Sequence, residues 1–252
     1  WRTGLPYGTN DHRPPADATP EQIRQIRSHL LDLAGAHHTP ASGYLIEKTC
    51  ANTLRVPLVK RVLFDAQFIH IIRDGRDAAT SAREKWKKRP SIRYLFDKLR
   101  YVPFRNASYL FWYLRNLWQG MSTNGERVRY WGPRYKGIED DLRAHSLLYV
   151  CGRQWQVCVS RCLDALNRLP TNRHICVRYE SLVSDASVLD RLIDRLDLPD
   201  GKDLRTHYQA VVYDHSVGRW RRDLSSAEQQ TLDSFLAPTL RRIHTVPTLS
   251  ER

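Results

Sequence analysis

The sequence predicts an α/β fold in which a parallel sheet is flanked by helices. Short apolar runs of strand length, "GYLIEK" (43–48), "QFIHII" (67–72) and "HICVRYE" (174–180), are each followed by a segment of helical period. Strand, helix, strand, helix at this spacing is the signature of βαβ units, whose sheet is expected to be covered on both faces. At 252 residues the chain is long enough for one α/β domain over 1–252 with a large insertion.

The elements follow in order. "TPEQIRQIRSHLLDLAG" reads as a helix: Thr19 caps it, Pro20 takes the first helical position, Gln22 completes a capping box and Gly35 stops it. Ile23, Ile26, Leu30 and Leu33 keep the helical period and form its apolar face. "GYLIEK" is read as a strand, and "RVPLVKRVLF" as a helix that tolerates Pro57 only in its first turn. "QFIHII" is a second strand, followed by a helix from about Arg76 to Lys87.

The pattern breaks after Pro90. Residues from about 90 to 145, with "YLFWYLRNLW" and "VRYWGPRYKG", fit an aromatic and basic helical insertion lying over the sheet edge. The rhythm then returns with a helix around 146–168, the strand "HICVRYE", a helix from about Asp185 to Leu196, and a terminal helix opened by a Ser225–Glu228 capping box.

Composition limits the function classes. No apolar run approaches the ~20 residues of a membrane-spanning helix. A formal charge of +13 favours anionic ligands, but the basic residues alternate with acids along the chain instead of forming a basic tail. Cys50, Cys151, Cys158, Cys162 and Cys176 lack the paired spacing of a zinc ribbon or a disulfide framework. Cys151, Cys158 and Cys162 share a helix face and are expected to fill core space. Without a disulfide pattern, a reducing, cytoplasmic setting is expected, with the Golgi lumen as the alternative for a eukaryotic source. His37 and His38 follow a helix end with no further ligands in spacing, so no metal is expected.

"RDGRD" (73–77) falls where a strand hands over to a helix, the position at which parallel α/β sheets bind ligands. A helix N-terminus with open N–H groups, Gly75 for a tight bend, and Arg73 and Arg76 as bidentate donors together describe a phosphate site, with Ser81 further along the helix. The competing reading is a solvated turn in which both arginines pair with Asp74 and Asp77.

Three segments bear on that choice. "YLIEKTCANTLRVPLVKRVLFDAQFIHIIRDGRDAATSAREKW" resembles the central segment of sulfotransferases, in the branch that includes bacterial glycan-type enzymes and tyrosylprotein sulfotransferases. "VRYESLV" is similar to that family's later strand and Tyr-Glu-x-Leu motif, and "HSVGRWRRDLS" to the C-terminal loop that closes on the nucleotide. The resemblance runs from about residue 44 to the end.

It implies a P-loop-kinase-like fold and transfer of a sulfuryl group from 3′-phosphoadenosine-5′-phosphosulfate (PAPS) to a hydroxyl, leaving adenosine-3′,5′-bisphosphate (PAP), with no metal. By the same resemblance Arg73 and Ser81 hold the 3′-phosphate, Lys85 assists, and Tyr179, at the end of its strand, approaches the nucleotide. Ser216, Gly218 and Arg219 form the closing loop. Lys48 stands at the end of its strand against the phosphosulfate, as the catalytic cation. Such a cation at the leaving oxygen is worth about 2.7–4 kcal/mol by analogy with lost oxyanion donors.

The acceptor side is expected in the insertion, where Trp86, Trp112, Trp118, Trp131 and Tyr135 suit a sugar or sulfated glycan; Trp155 is expected in the core. The family's Gly-rich loop for the 5′-phosphosulfate has no counterpart here, nor has its carboxylate base. The native chain is therefore expected to be longer, with an N-terminal strand, loop and helix preceding Trp1. The leading functional expectation is a PAPS-dependent sulfotransferase acting on a carbohydrate hydroxyl. The alternatives are a non-catalytic nucleotide- or anionic-glycan-binding protein of the same fold and, last, a nucleic-acid-binding domain, which lacks any recognisable motif.

Overall fold

The computed structural model describes residues 10–35, 44–87, 131–199 and 201–249. Among these residues it is a mostly helical α/β arrangement around a two-stranded parallel sheet. Helix α1 (Pro20–Gly35) begins at the expected capping box: the Gln22 N–H donates to Thr19 Oγ1 at 3.2 Å, and the Thr19 N–H to Gln22 Oε1 at 2.9 Å. Ile23, Ile26 and Leu30 pack against Leu58 and Val62 of α2 (Val56–Val62). Leu33 is exposed, so the buried stripe ends one turn sooner than its period suggested. Pro57 lies in the first turn of α2, where its missing N–H has no helical partner to lose.

Strand β1 (Phe68–Ile72) leads into α3 (Gly75–Lys87). After the undescribed residues 88–130, where most of the expected insertion lies, come α4 (Ile138–Ala144) and the long α5 (Leu147–Leu166), started by Ser146, whose Oγ accepts the Tyr149 N–H. Strand β2 (His174–Arg178) pairs in parallel with β1, in register from Phe68↔His174 to Ile72↔Arg178. It ends two residues earlier than expected, because Tyr179 and Glu180 already open α6 (Tyr179–Ser184). Helix α7 (Ala186–Leu196) follows with Asp185 as its cap, then α8 (Gly201–Val211), the single turn α9 (Trp220–Asp223) and α10 (Ser226–His244), whose Ser225–Glu228 capping box forms as expected.

One face of the sheet, with Ile72 and Cys176, packs on Val159, Cys162, Leu163 and Leu166 of α5 and on Ile243 of α10. Cys151 and Cys162 are buried in the core clusters as expected, while Cys158 is only partly buried; burial pushes all three thiols up to about 12. On the other face, α7 covers Ile175 and Val177 with Val188 and Leu192, while Ile69 and Ile71 of β1 are 46% and 50% exposed. The expectation of cover on both faces thus holds for β2 and not for β1 among the described residues.

The "GYLIEK" strand is also corrected. Residues 44–49 join no ladder, and Tyr44, Leu45 and Ile46 are all exposed. A strand needs a neighbour to satisfy its N–H and C=O groups, and none lies beside this segment among the described residues. The segment is tied to the rest of the fold through side chains: the Tyr44 hydroxyl donates to the Asp197 carbonyl at 2.7 Å, and the Glu47 carboxylate accepts from the Asn52 amide.

Candidate active site at the β1–α3 turn

The sequence "RDGRD" resolves into residues with distinct tasks. Asp74 caps α3: its Oδ1 accepts the Arg76 N–H at 2.8 Å and its carbonyl accepts the Ala78 N–H at 2.9 Å. Its own N–H donates to Glu180 Oε1 at 2.8 Å, tying the turn to the start of α6. The open N–H groups expected at this helix start are therefore partly taken by the protein's own carboxylates.

Arg76 folds back on the cap. It donates to Asp74 through Nε (3.0 Å) and an Nη (2.5 Å), and to Asp233 Oδ1 at 2.8 Å, with its guanidinium 4.2 Å above the Trp220 ring. Hydrogen bonding to Asp74 raises the Arg76 pKa, against the opposing effect of burial. At Asp74 burial works upward, but hydrogen bonds from Arg76 and the charges of Arg76 and Arg221 outweigh it and hold the carboxyl below its usual range. Arg76 is thus a structural tie, paired with acids as the solvated-turn reading has it.

Arg73 differs. An Nη donates to the Ser216 carbonyl at 2.6 Å, and the guanidinium lies 4.7 Å over the Tyr179 ring, whose hydroxyl is 2.9 Å from Ser216 Oγ. No carboxylate pairs with Arg73 among the described residues, and its Nε is buried without a hydrogen-bond partner. The backbone behind it is fixed by Trp155 of α5, whose Nε1 donates to the Arg73 carbonyl at 3.0 Å. Here Gly75 finds its reason: a Cβ at that position would lie 2.6 Å from the Trp155 ring. It is a glycine of close approach more than of bending, and Trp155, packed between two core clusters, is core as expected.

The closing segment lies on α3. Gly218, at φ 69°, donates its N–H to Asp77 Oδ2 at 2.7 Å, and the Trp220 N–H donates to Asp77 Oδ1 at 3.0 Å. Arg219 binds Glu84 of α3 and donates from Nε to Asp223 Oδ2 at 2.8 Å, so its charge is met by acids already. Hydrogen bonding to Asp223 leads the upward displacement of its pKa, with Glu84 adding to it against burial.

Asp77, Ser81 and Lys85 succeed one another at four-residue intervals and therefore share one stripe of α3, at whose head the loop is attached. Ser81 is half-buried and Lys85 exposed.

Arg73, Tyr179 and Ser216 are thus brought into contact, and Gly218 and Arg219 are fastened to the same helix. Lys48 is not drawn in: it is exposed on the unpaired 44–49 segment, with no hydrogen bond or ion pair to this cluster. Among the acceptor candidates, Trp86 and Tyr135 are core, Tyr135 donating to Asp141 Oδ2 at 2.6 Å; Trp131 is exposed, and Trp112 and Trp118 lie outside the described residues, as do His37 and His38. No cluster of potential metal ligands occurs among the described residues. Sequence reasoning missed Asp77 and Glu180 because their partners are distant in the chain. The signal for Glu180 was its place beside Tyr179 in the Tyr-Glu motif; Asp77 had none beyond being an acid in the first helical turn.

No curated protein and no solved structure matches this chain. The family model described as the sulfotransferase family matches residues 4–103, a span that takes in Lys48, Arg73, Ser81 and Lys85 but stops short of Tyr179 and the closing loop. Over that span, less than half of its length, the chain is similar to the sulfotransferase family.

Proposed function

We propose that the protein is a PAPS-dependent sulfotransferase acting on a carbohydrate hydroxyl, in the manner of the glycan-type branch. The observation that carries the reading is Arg73: a guanidinium at the carboxyl end of a parallel strand, with no acidic partner among the described residues and a buried, unpartnered Nε, within a segment similar to the sulfotransferase family. A buried donor left unsatisfied is costly, and an anionic oxygen is the acceptor that a guanidinium fork suits best. Ser81 on α3 and Tyr179 at the head of α6 complete the proposed 3′-phosphate side, with Lys85 one turn beyond. Ser216, Gly218 and Arg219 form the cover.

In this reading the acceptor hydroxyl oxygen bonds to sulfur and gives up its proton to water as the bond from sulfur to the phosphate oxygen breaks, and PAP departs. Lys48 is the proposed cation for the leaving oxygen. Its position on an exposed, unpaired segment favours a second reading, a binder of the nucleotide or of an anionic glycan that performs no transfer.

A turnover assay with labelled PAPS against a panel of glycans separates the two. Label transfer that is lost in Lys48→Ala supports the enzyme. PAP binding with no transfer to any acceptor supports the binder, and no PAP binding removes both nucleotide readings.

A further inference from the structure

Asp77 lies in the first turn of α3 with 1% of its surface exposed. No cation forms an ion pair with it among the described residues. A buried carboxylate is tolerated only where hydrogen bonds replace water, and here both oxygens are met by backbone donors far along the chain. Oδ2 accepts from Gly218 and Oδ1 from Trp220. The Trp220 N–H opens the short helix α9 and the Gly218 N–H lies two residues before it, while the cap position, Arg219, supplies no side-chain acceptor. Asp77 therefore caps that turn from another helix.

The turn is shaped to meet it. Gly218, in the left-handed region, bends the chain so that the N–H groups at 218 and 220 converge on one carboxylate, and the Trp220 ring is buried beneath Arg76. Two residues before Gly218, Ser216 then sets its carbonyl on Arg73 and its hydroxyl beside Tyr179. The loop is thus attached at one end to the α3 carboxylate and at the other to the proposed phosphate residues.

We propose that Asp77 is a positioning residue: by fixing the Gly218 and Trp220 N–H groups it holds the closing loop over Arg73, so that nucleotide affinity depends on a side chain that does not touch the nucleotide. The dependence on nucleotide rests on the function proposed above; the anchoring itself does not. Asp77→Asn keeps one carbonyl oxygen but turns an NH2 group toward the other backbone donor, whereas Asp77→Glu keeps a carboxylate on a longer arm.

The test joins residue-resolved amide exchange with PAP binding by calorimetry, on the full chain. In the wild type, a measurement that needs no variant, the Gly218 and Trp220 amides are expected to exchange more slowly than those of Asp214 and His215; equal rates overturn the proposal. In Asp77→Asn, where both amides lose their charged acceptor and one loses its acceptor outright, both are expected to exchange about tenfold faster and PAP binding to weaken by about tenfold, with the α5 amides unchanged. Asp77→Glu is expected to recover part of both effects, which a loss of general stability would not do. Unchanged exchange in Asp77→Asn overturns the anchoring, and unchanged PAP affinity beside accelerated exchange overturns its link to the nucleotide. If the wild type fails to bind PAP, the sulfotransferase reading falls, and the exchange rates still decide whether Asp77 anchors the loop.

Discussion

Arg73 donates to the Ser216 carbonyl at 2.6 Å while its guanidinium covers the Tyr179 ring at 4.7 Å. Three motifs far apart in the chain thus meet at one side chain: the end of β1, the start of α6 and the loop before α9. Arg76, three residues on, is held instead by Asp74 and Asp233. Arg76 is thus neutralised by acids, whereas no carboxylate pairs with Arg73 among the described residues.

Arg73→Ala is expected to abolish the thermal stabilisation that PAP gives the wild type. The unliganded protein should lose only about 1 kcal/mol, since one neutral-acceptor hydrogen bond and a partly buried cation–π contact are removed while an unpartnered buried donor goes with them. Thermal melts with and without PAP check both; an undiminished ligand shift removes Arg73 from the site.

Arg76→Ala is expected to show the reverse pattern. Removing it leaves Asp74 and Asp233 without their cation and uncovers Trp220, at a cost of about 1–3 kcal/mol once partial exposure is allowed for. Denaturant titration reads that loss, and the PAP-induced increment in melting temperature should survive. A variant as stable as the wild type contradicts the assignment of Arg76 as a tie.

Gly75→Ala sets a methyl group 2.6 Å from the Trp155 ring. Overpacking of this kind costs about 1–3 kcal/mol. The shift in denaturation midpoint should be largely relieved in the double variant Gly75→Ala/Trp155→Leu. An unchanged midpoint in the single variant means that Trp155 does not press on the turn as described.

His70, buried in β1 with Nδ1 unpartnered, has its pKa lowered by burial from 6.5 to about 4. The unfolded chain then takes up the proton first as pH falls, so this contribution to stability is complete above 6.5 and is lost progressively down to about 4. The loss is on the order of 3 kcal/mol at its limit. Unfolding free energies from pH 7 to 4.5 should fall less steeply in His70→Leu than in the wild type; parallel curves contradict it.

The elements that the sequence made legible are those set by local signals. The Thr19–Gln22 and Ser225–Glu228 capping boxes, Pro57 in a first turn and the helix around 146–168 depend on near neighbours, and each formed where read. The "GYLIEK" segment failed because a strand is defined by what pairs with it, which its own apolar residues do not encode. Tyr179 and Glu180 passed from strand to helix because Glu180 is drawn to the Asp74 N–H, a contact across 106 residues.

At the site, the turn was legible as chemistry but not as a division of labour. Arg73 and Arg76 have the same side chain in nearly the same local setting; Asp233 and Trp220, which capture Arg76, come from the far end of the chain. Gly75 was read as a bend because its true neighbour, Trp155, lies eighty residues away by sequence and directly above it in space. Trp86 and Tyr135 were read as acceptor residues from composition, and core packing claimed both.

A crystal structure of the protein soaked with PAP tests the central claim most directly. The 3′-phosphate oxygens are expected about 3 Å from the Arg73 guanidinium and the Ser81 hydroxyl, under the loop that carries Ser216. Nucleotide bound elsewhere, with Arg73 still donating only to the Ser216 carbonyl, would contradict it.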